Sequence, residues 1–552
     1  MPIKQQNRYS GVIFKNQVEV AALSNQFSKI NDHFYLQSNE AIAFDGYIPG
    51  EDSFSHAHID RYNGSWSVCE ILENELILSR DRIGVRSIYY WEDENHFAFA
   101  NEIKGLLQFP FVPFKVSKQG AHEFFFSGKT SGLIEGVHEL GAGEMLTFSF
   151  SSLTYSTKSY FNRAENTPSE ESIEEISEQI RDRISKVIQQ IEADSAELGA
   201  FLSGGIDSSV IAATLALNEK QDRIPFITAM TSDESLNEVE YAEEVVKKLG
   251  ITEWHQVVAQ NIESEIENLH VAMELPTTSL GSFLQYEMMR FCKYKGINEV
   301  LDGTGADALF AGHYYHLAIY WNSLIRKGKV SAFVQQMTES KLGENSMKFY
   351  IKNLLKYHYF PRVNPQNKRK LDVKINPLLL GLNSDLLDLE VASTLPGSMK
   401  NLNSFLAYEF YDGAVANLLR FNDRIGRHFG VMNHSIFSEY SQIFEYALAI
   451  PQELKIKNGF SKYVLRNAYS DILPQEVLRR KDKMGLVAPN NYWMKKHKDL
   501  LLSYFTEDLS PFFDVEKMKK LLGEAIDESD AQENYKIFKF ISFAIWHKVM
   551  SK

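Results

Sequence analysis

The chain has 552 residues and two cysteines, and its 72 acidic against 58 basic residues give a formal net charge of −14. Apolar residues make up 44% of it and aromatic residues 12%, which excludes a disordered chain and provides bulk for real cores. The acidic balance excludes a phosphate-wrapping surface, so we expect no nucleic-acid partner. With no membrane-length apolar stretch, no apolar signal-peptide region and no disulfide framework from Cys69 and Cys292, we expect a cytoplasmic protein without a membrane partner.

The first 160 residues or so contain short runs rich in β-branched and aromatic residues, separated by turn signals. These runs predict an α+β sandwich domain. The polar, proline-containing stretch 162–172 has no periodic apolar residues and is typical of a domain boundary. We therefore predict a domain at 1–165, a linker at 166–172 and a second domain at 173–552.

The second predicted domain begins with a helix, because isoleucine and valine recur at spacings of three and four from Ile173 onward. Ser172 and Glu175 have the spacing of a capping box. Between residues 198 and 302 strand-like and helix-like segments alternate, which predicts a parallel sheet flanked by helices. From about residue 315 onward the apolar spacing is helical, and we expect no second run of strands there.

The strongest chemical signal is a glycine-rich loop that follows an apolar strand and opens a helix. Its two glycines and small hydroxyl residues let backbone N–H groups approach an anion at a helix N-terminus, so it predicts a phosphate cradle. Asp207 tolerates phosphate only with a cation between them, which implies Mg²⁺. The residues expected to contact nucleotide in this loop are Ser203, Gly204, Gly205, Asp207, Ser208 and Ser209.

A second glycine-rich loop, 302–312, follows the predicted strand that ends near Leu301. Ligands of open α/β sheets bind at the carboxyl ends of the strands, so we expect Gly303 and Asp307 to face the first loop. Asp307 can then share the metal ion with Asp207.

The two loops resemble those of the asparagine synthetase-like family. The string FLSGGIDSS is similar to the pyrophosphatase loop of N-type ATP pyrophosphatases, and DGTGADALFAGHYY resembles the family's G-x-G-x-D-E-x-F-x-G-Y segment. Further similar strings extend over most of the chain in the family's order, among them LILSRDRIGVRSIYY, GFSKYVLRNAY and LPQEVLRRKDKMGLVAP. The resemblance implies an Ntn-type glutaminase-like domain, then an adenine nucleotide α-hydrolase-like domain with a parallel sheet and a helical C-terminal part.

The family activates a carboxylate with ATP, forming an acyl-adenylate and pyrophosphate, and an amine then attacks to form an amide. The resemblance implies ATP and Mg²⁺ as cofactors and assigns Lys462 to stabilising charge during adenylation or amide formation, with Asp207 and Asp307 as its catalytic partners. It also implies that Leu202 and Met230 lie near the adenine, although both are equally good core residues.

The N-terminal domain departs from glutamine-hydrolysing members, which carry a cysteine after the initiator methionine. Here residue 2 is proline, and Ser10 occupies the nucleophile's place with nine residues before it. A serine hydroxyl without a free α-amine lacks the activation that nucleophilic catalysis needs. Asp45 also stands where glutamine-binding members carry asparagine, so we predict an inactive glutaminase domain.

The second loop departs as well, because Thr304 replaces both the acidic residue of asparagine synthetases and the tyrosine of β-lactam-forming relatives. Threonine cannot accept a proton unaided at neutral pH, so any general base lies elsewhere. Four acidic residues in the matched helices are unranked candidates: Glu409, Asp412, Asp423 and Glu439.

The sequence therefore predicts an amide-forming carbon–nitrogen ligase that closes a ring on its own substrate, as lasso peptide cyclases and β-lactam synthetases do. Its partner would be a carboxylate-bearing substrate, such as a precursor peptide accompanied by its protease. Asparagine synthesis from free ammonia and a nucleotide-binding scaffold without activity are the alternatives.

Three further motifs have simpler interpretations. The string Ser127–Thr130 ends like a Walker A loop but lacks its first glycine, since Glu123 stands there. His313 and His316 have a metal-like spacing without a second pair of ligands, so solvent or core histidines are expected. The basic run Lys368–Lys370 is expected to be a solvated loop.

Overall fold

The computed structural model describes residues 3–5, 7–15, 28–29, 34–36, 42–161, 163, 169–218, 223–231, 239–340, 346–354, 372–389, 401–481, 488–528 and 534–552. Pro2, the basic run 368–370 and residues 166–168 of the predicted linker lie outside the described residues. The predicted domain boundaries therefore stay a prediction.

The N-terminal part is a sandwich of two antiparallel sheets. Within the described residues one sheet has the order β1-β5-β6-β7-β11-β12 and the other β10-β8-β9-β2-β4-β3. Apolar side chains from both sheets, such as Ile13, Leu78 and Phe97, form a shared buried core. The strands are β1 Ile3–Gln5, β2 Ser10–Phe14, β3 Ser28–Lys29, β4 Phe34–Leu36, β5 Ile42–Ile48, β6 Ser65–Ile71, β7 Glu75–Arg80, β8 Tyr89–Glu92, β9 His96–Ala100, β10 His138–Glu139, β11 Glu144–Ser149 and β12 Thr154–Ser159.

Within residues 42–161, these sheets are accompanied by the 3₁₀ helix His56–Arg61 and the α-helices Ile103–Leu107 and Lys118–Ser127. The last of them packs toward the C-terminal helices, since the Phe125 ring contacts those of Phe540 and Phe543 at centroid distances of 5.1 and 4.8 Å. The predicted α+β sandwich is confirmed.

The predicted parallel sheet is also confirmed, with the order β15-β14-β13-β16-β17 among the described residues and parallel pairing throughout. Its strands are β13 Leu198–Phe201, β14 Phe226–Met230, β15 Trp254–Val258, β16 Glu299–Asp302 and β17 Met432–Ser435. The helices before and between the first four strands are Ile173–Asp194, Ile206–Leu217, Val239–Leu249, Ile262–Met273 and Gly281–Lys295, and Ala306–Phe310 follows β16.

Among the described residues after 315, no second run of strands is found, but the helical spacing concealed one strand, β17, which completes one edge of the parallel sheet. Its sequence, Met-Asn-His-Ser, is too polar to resemble a buried strand. The polar side chains are paired with the neighbouring strand: Asn433 Nδ2 donates to Asp302 at 2.6 Å, and His434 Nε2 lies 2.8 Å from a carboxylate oxygen of Glu299. These polar side chains can be buried because their hydrogen bonds to the neighbouring strand replace the hydrogen bonds that they would form with water.

In the remaining C-terminal part, the described residues form helices with their connecting segments and one hairpin, made of β18 Ile456–Lys457 and β19 Phe460–Ser461. Its helices are Tyr314–Arg326, Val330–Glu339, Ser346–Leu354, Pro377–Gly381, Ser384–Leu387, Leu402–Tyr411, Ala414–Phe429, Ser441–Ala449, Gln452–Lys455, Tyr463–Ala468, Gln475–Leu478, Asn490–Lys496, Lys498–Ser503, Glu507–Leu509, Val515–Glu528 and Asn534–Met550. Among the helices described, none has the length and hydrophobicity needed to cross a membrane.

Candidate active site

The two glycine-rich loops lie side by side at the carboxyl edge of the parallel sheet. They follow β13 and β16, which are hydrogen-bonded neighbours, while β14 and β15 lie on the other side of β13. This is the point where the strand order reverses, and open α/β sheets bind ligands there. The loops touch, because a Cβ added at Gly303 would lie 2.9 Å from Cβ of Asp207.

The first loop has the geometry of an anion cradle. Gly204 has φ +75°, and a Cβ there would lie 2.5 Å from the backbone nitrogen of Ala242, so only glycine fits. The helix Ile206–Leu217 begins at Gly205 without a side-chain cap on its N-terminal amides. Ser203 is exposed beside it, and its hydroxyl lies 3.1 Å from that of Ser208. Uncapped amides at an accessible helix N-terminus favour a bound anion.

Three charged side chains converge on this cradle. The Lys462 ammonium donates to both carboxylate oxygens of Asp207, at 2.6 and 2.5 Å, and lies 2.7 Å from Oδ1 of Asp307. Lys462 is only 2% exposed. Burial lowers the pKa of Lys462, and the charge and hydrogen bonds of Asp207 oppose that shift. The structure thus brings together the three residues that the sequence predicted to be catalytic.

Lys462 reaches the site through a strained backbone. The preceding hairpin turns at Asn458 and Gly459, both with positive φ, and Lys462 itself has φ +53°. Its backbone N–H donates to the carbonyl of Phe310 at 3.1 Å, which ties the hairpin to the second loop. A left-handed backbone at a non-glycine residue costs about 1 kcal/mol or more, and such strain is concentrated at functional sites.

The donor set fits Mg²⁺. Two carboxylates, Asp207 and Asp307, already share one positive charge, the Lys462 ammonium. Across the described residues there is no group of three or more histidine, cysteine, aspartate and glutamate side chains arranged to hold a metal. A metal held by two carboxylates and completed by phosphate and water oxygens is the usual arrangement for Mg²⁺.

Leu202 directly follows β13 and Met230 ends the neighbouring strand β14, at the same edge of the sheet. Leu202 is buried, and its carbonyl accepts a hydrogen bond of 2.5 Å from the Thr228 hydroxyl. Met230 is half-buried at the end of β14. Leu202 directly precedes the first loop, and a contact of either residue with adenine stays a prediction.

The four acidic candidates for a general base have very different surroundings. Glu409 lies 2.7 Å from Nε2 of His316 and also accepts from the Tyr315 hydroxyl. Asp412 is half exposed and pairs with Arg163 at 2.6 Å, and Asp423 pairs with the buried Arg86.

Glu439, the fourth candidate, lies beneath the end of β17, where burial raises its pKa to about 8. Its Oε1 accepts a hydrogen bond of 2.9 Å from the backbone of Ser435. Of the four, Glu409 is the one whose charge acts, together with those of Lys462 and Asp207, on the half-buried His313.

Two arginines near the cradle were not singled out from the sequence. Burial lowers the pKa of Arg466 to about 10, against the opposing charge of Asp207, and Arg466 donates to the carbonyls of Val477 and Leu478 at 2.9 and 2.8 Å. Arg480 lies 3.9 Å above the ring of Tyr241, whose backbone packs on Gly204. Both arginines lie in strings quoted for the resemblance, but their distance in the chain from the loop left their position near the cradle unpredicted.

The N-terminal residues that resemble a glutaminase site have other partners. Ser10 begins β2, is buried, and accepts a hydrogen bond of 2.7 Å from Gln108. Strand β1 precedes it and pairs with β5. Asp45 is fully buried and pairs with Arg427 of the helix Ala414–Phe429. Neither Cys69 nor Cys292 is accessible, and burial raises the pKa of both thiols.

Comparison with known proteins gives matches over both parts of the chain. A family model described as asparagine synthase matches residues 179–548, and one described as glutamine amidotransferase domain matches residues 23–161. The chain is 23% identical over 563 residues to asparagine synthetase (glutamine-hydrolyzing) 1 of Bacillus subtilis, covering 93% of this chain and 84% of that protein. It is 23% identical over 499 residues to asparagine synthetase (glutamine-hydrolyzing) 3 of the same organism, covering 86% and 74%.

Among solved structures, NMN synthetase from Francisella tularensis is 16% identical, with 48% of this chain and 98% of that chain covered and a TM-score of 0.20. A score this low supports no conclusion about fold or activity.

Proposed function

Because the chain belongs to the asparagine synthase family and is a carbon–nitrogen ligase, we propose that it adenylates a substrate carboxylate with ATP and closes an amide within the same substrate. The observation that carries this proposal is the convergence of Lys462, Asp207 and Asp307 on a glycine-rich anion cradle.

The first step is attack of the carboxylate on the α-phosphorus of ATP, which builds negative charge on the departing pyrophosphate. The amides at Ser203–Gly205 and the helix N-terminus at Ile206 are suited to holding that charge. Mg²⁺, held by Asp207 and Asp307, would neutralise further phosphate charge when bound. Lys462 would then be displaced toward the phosphates, where its ammonium stabilises the same charge.

Glutamine hydrolysis is not part of this proposal. Ser10 follows β1 in the sequence and is not an N-terminal residue, so it has no free α-amine to activate its hydroxyl. The Asp45 carboxylate already forms a buried ion pair with Arg427. The amine would therefore come from the substrate, as in lasso peptide or β-lactam ring closure, and a precursor peptide delivered with its protease is the partner we favour.

Asparagine formation from free ammonia is the second candidate, because the curated relatives are named asparagine synthetases. An inactive nucleotide-binding scaffold is the third possibility.

The three are separated by incubating the protein with ATP and Mg²⁺ and measuring pyrophosphate and products by mass spectrometry. Three conditions are compared: aspartate with ammonium, aspartate with glutamine, and candidate peptides carrying a free amine and a carboxylate. Pyrophosphate with a dehydrated peptide supports ring closure, whereas appreciable asparagine contradicts it. Glutamate released from glutamine contradicts the inactive glutaminase, and no pyrophosphate under any condition supports the scaffold.

The matched variants are Lys462→Met and Lys457→Met, which lie on opposite sides of the same hairpin. We expect Lys462→Met to lower pyrophosphate release by roughly 100-fold or more, the cost of losing one group that stabilises developing charge. Lys457 packs on the ring of Tyr463 at 5.2 Å, away from the carboxylates, and its substitution should leave the rate nearly unchanged.

A further inference from the structure

Asp302 lies at the end of β16, where the second glycine-rich loop begins. It is only 5% exposed, and its carboxylate accepts hydrogen bonds from two sides. Within the loop, the backbone N–H of Thr304 donates to Oδ1 at 2.7 Å. From the edge strand β17, Nδ2 of Asn433 donates to Oδ2 at 2.6 Å. The carboxylate therefore ties the start of the loop to the neighbouring strand.

A third side of the carboxylate is covered by the long helix that precedes β17. Nδ2 of the buried Asn422 lies 3.4 Å from Oδ2 of Asp302 and 3.1 Å from the hydroxyl oxygen of Thr304. The hydroxyls of Thr304 and Ser435 also form hydrogen bonds to Asp302. Burial raises the pKa of Asp302, and its hydrogen bonds oppose that shift because they favour the charged form. We call these five residues the Asp302 network: Asp302, Thr304, Asn422, Asn433 and Ser435.

The residues that follow Thr304 are also held in place. The Ser438 hydroxyl donates to the carbonyl of Thr304 at 2.8 Å. Gly305 has φ +94°, and a Cβ there would overlap the same hydroxyl oxygen, so only glycine fits. The helix Ala306–Phe310 begins directly after Gly305 and carries Asp307 in its first turn. The Asp302 network and Ser438 therefore set the point at which this helix begins.

The position of this helix matters because Asp307 reaches the charged centre. Oδ1 of Asp307 lies 2.7 Å from the Lys462 ammonium, which also donates to Asp207 of the first loop. A Cβ added at Gly303 would lie 2.9 Å from Cβ of Asp207, so the two loops are in contact at this point. The two carboxylates that fit Mg²⁺ thus lie one on each loop. Their spacing depends on how the second loop is held.

We propose that Asp302 is a positioning residue for adenylation, which holds the second loop so that Asp307 and Asp207 can bind the same Mg²⁺ ion beside the phosphates of ATP. This inference rests on the proposed function. Asp302 acts through the loop and not on the reacting atoms, because its two oxygens already accept hydrogen bonds from the network.

The role requires a carboxylate at this position. A backbone N–H and the Nδ2 groups of Asn422 and Asn433 can only donate, so Asp302 must accept from all of them. In Asp302→Asn one oxygen remains, and the new NH₂ group faces donors. A buried donor that loses its acceptor is unfavourable, so we expect the start of the loop to shift in this variant.

The test measures binding of an ATP analogue that has a methylene group between the α- and β-phosphorus and cannot release pyrophosphate. Calorimetry gives its affinity in Mg²⁺ and in EDTA. For Asp302→Asn we expect the affinity in Mg²⁺ to fall by about 10- to 100-fold and the affinity in EDTA to stay within about threefold of wild type, because the first loop is unchanged. The Mg²⁺ concentration for half-maximal ATP–pyrophosphate exchange should rise by a similar factor.

Glu299→Gln is the matched control, because Glu299 begins the same strand and is 6% exposed at its opposite end. It lies 2.8 Å from Nε2 of His434 and pairs with Lys4, so its loss should lower the urea midpoint of unfolding. Its affinity for the analogue in Mg²⁺ should match wild type.

Ser438→Ala is a milder variant that tests the role even where Asp302→Asn does not fold. It removes the hydrogen bond to the Thr304 carbonyl and keeps the size of the side chain. We expect its affinity in Mg²⁺ to fall by about threefold, with the affinity in EDTA unchanged.

The assignment of Asp302 is overturned by wild-type affinity in Mg²⁺ for Asp302→Asn or, if that variant does not fold, for Ser438→Ala. Equal losses in Mg²⁺ and in EDTA, or the same loss in Glu299→Gln, also overturn it, because they indicate general damage to the fold. A wild-type affinity that does not depend on Mg²⁺ has the same consequence.

Failure of the proposed function gives a different result. Wild-type protein would then bind the analogue but show no ATP–pyrophosphate exchange with aspartate, glutamate or a short peptide that carries a free amine and a carboxylate. That result contradicts adenylation, while the binding measurements still decide whether Asp302 positions the loop.

Discussion

At the scale of single residues, the contact between the two loops makes Gly303 sensitive to the smallest side chain. In Gly303→Ala the new Cβ would lie 2.9 Å from Cβ of Asp207 and 3.3 Å from the backbone nitrogen of Ser208, neither of which is a flexible end. We expect pyrophosphate release to fall by at least about tenfold, while stability falls by only about 1–3 kcal/mol.

Gly523→Ala is the matched control for that substitution. It lies in the helix Val515–Glu528, where the nearest atom to a new Cβ is the flexible Cε of Lys498 at 3.4 Å. Alanine is favoured over glycine in a helix by about 1 kcal/mol, so this variant should keep its activity and unfold at the same or higher urea concentration. Equal losses in both variants would contradict the loop-contact explanation.

Because Glu439 is buried, we expect the free energy of unfolding of the protein to depend on pH. Burial raises its pKa in the folded state to about 8, above the ordinary value of 4.5. Between these two values the unfolded chain has released a proton that the folded chain retains. Stability is therefore fully present below about pH 4.5 and is lost as the pH rises toward 8, with a slope of at most about 1.4 kcal/mol per pH unit.

Urea unfolding at several pH values between 5 and 8 measures this dependence. Glu439→Gln keeps an acceptor for the Ser435 N–H but cannot ionise, so its stability should decline less over this range than that of wild type. Glu174→Gln, exposed on the helix Ile173–Asp194, should leave the slope unchanged. A slope that survives in Glu439→Gln would assign the effect to another group.

At the scale of elements, the helix Ile173–Asp194 shows how far local pattern determines structure. Its predicted isoleucines, such as Ile180 and Ile184, are buried, and its predicted capping box is present. The Ser172 hydroxyl accepts from the backbone of Glu175 at 3.2 Å, and the Glu175 carboxylate accepts from the backbone of Ser172 at 2.8 Å.

Removal of this helix cap should lower the free energy of unfolding by a measurable amount. Ser172→Ala removes the acceptor for one helix N-terminal N–H, so we expect a loss of about 1 kcal/mol in the free energy of unfolding. Ser172→Asp keeps an acceptor and should restore most of that loss. Identical unfolding midpoints for alanine and serine would show that the cap contributes nothing in this context.

The local sequence pattern also argued against a phosphate-binding site at the Walker-like string Ser127–Thr130. Ser127 ends the helix Lys118–Ser127, and Gly128 terminates it with φ +78°. The Walker-like string therefore lies at a helix C-terminus, where the dipole disfavours phosphate. Lys129 pairs with Glu123 at 3.1 Å.

At the scale of the whole molecule, the sandwich is joined to the C-terminal helices by buried charges. Arg86 pairs with Asp423 and Asp45 with Arg427, and Arg424 lies 3.6 Å from Glu102 and 3.7 Å from Glu274. A pair of this kind need not add stability over an apolar replacement, but removing one partner leaves a buried charge uncompensated.

Arg427→Met should therefore destabilise the protein strongly. It leaves the fully buried Asp45 without its cation, and we expect a cost of about 3–5 kcal/mol. The double variant Asp45→Asn/Arg427→Met should recover part of that cost. Arg163→Met removes a more exposed pair with Asp412 and should cost no more than about 1 kcal/mol. Thermal or urea unfolding of the four proteins checks this order, and equal costs for the two arginines would contradict it.

The sequence by itself determined both glycine-rich loops, most strands and the capped helix, because these features depend on neighbouring residues and on periods of two or three to four. Only the tertiary structure decided that Lys462 lies between two carboxylates, one of them 255 residues away in the chain. The same holds for the polar strand β17 and for the Asp45–Arg427 pair. Each of these features depends on residues that are distant in the chain. Tertiary packing brings those residues together, and no local sequence pattern predicts that they meet.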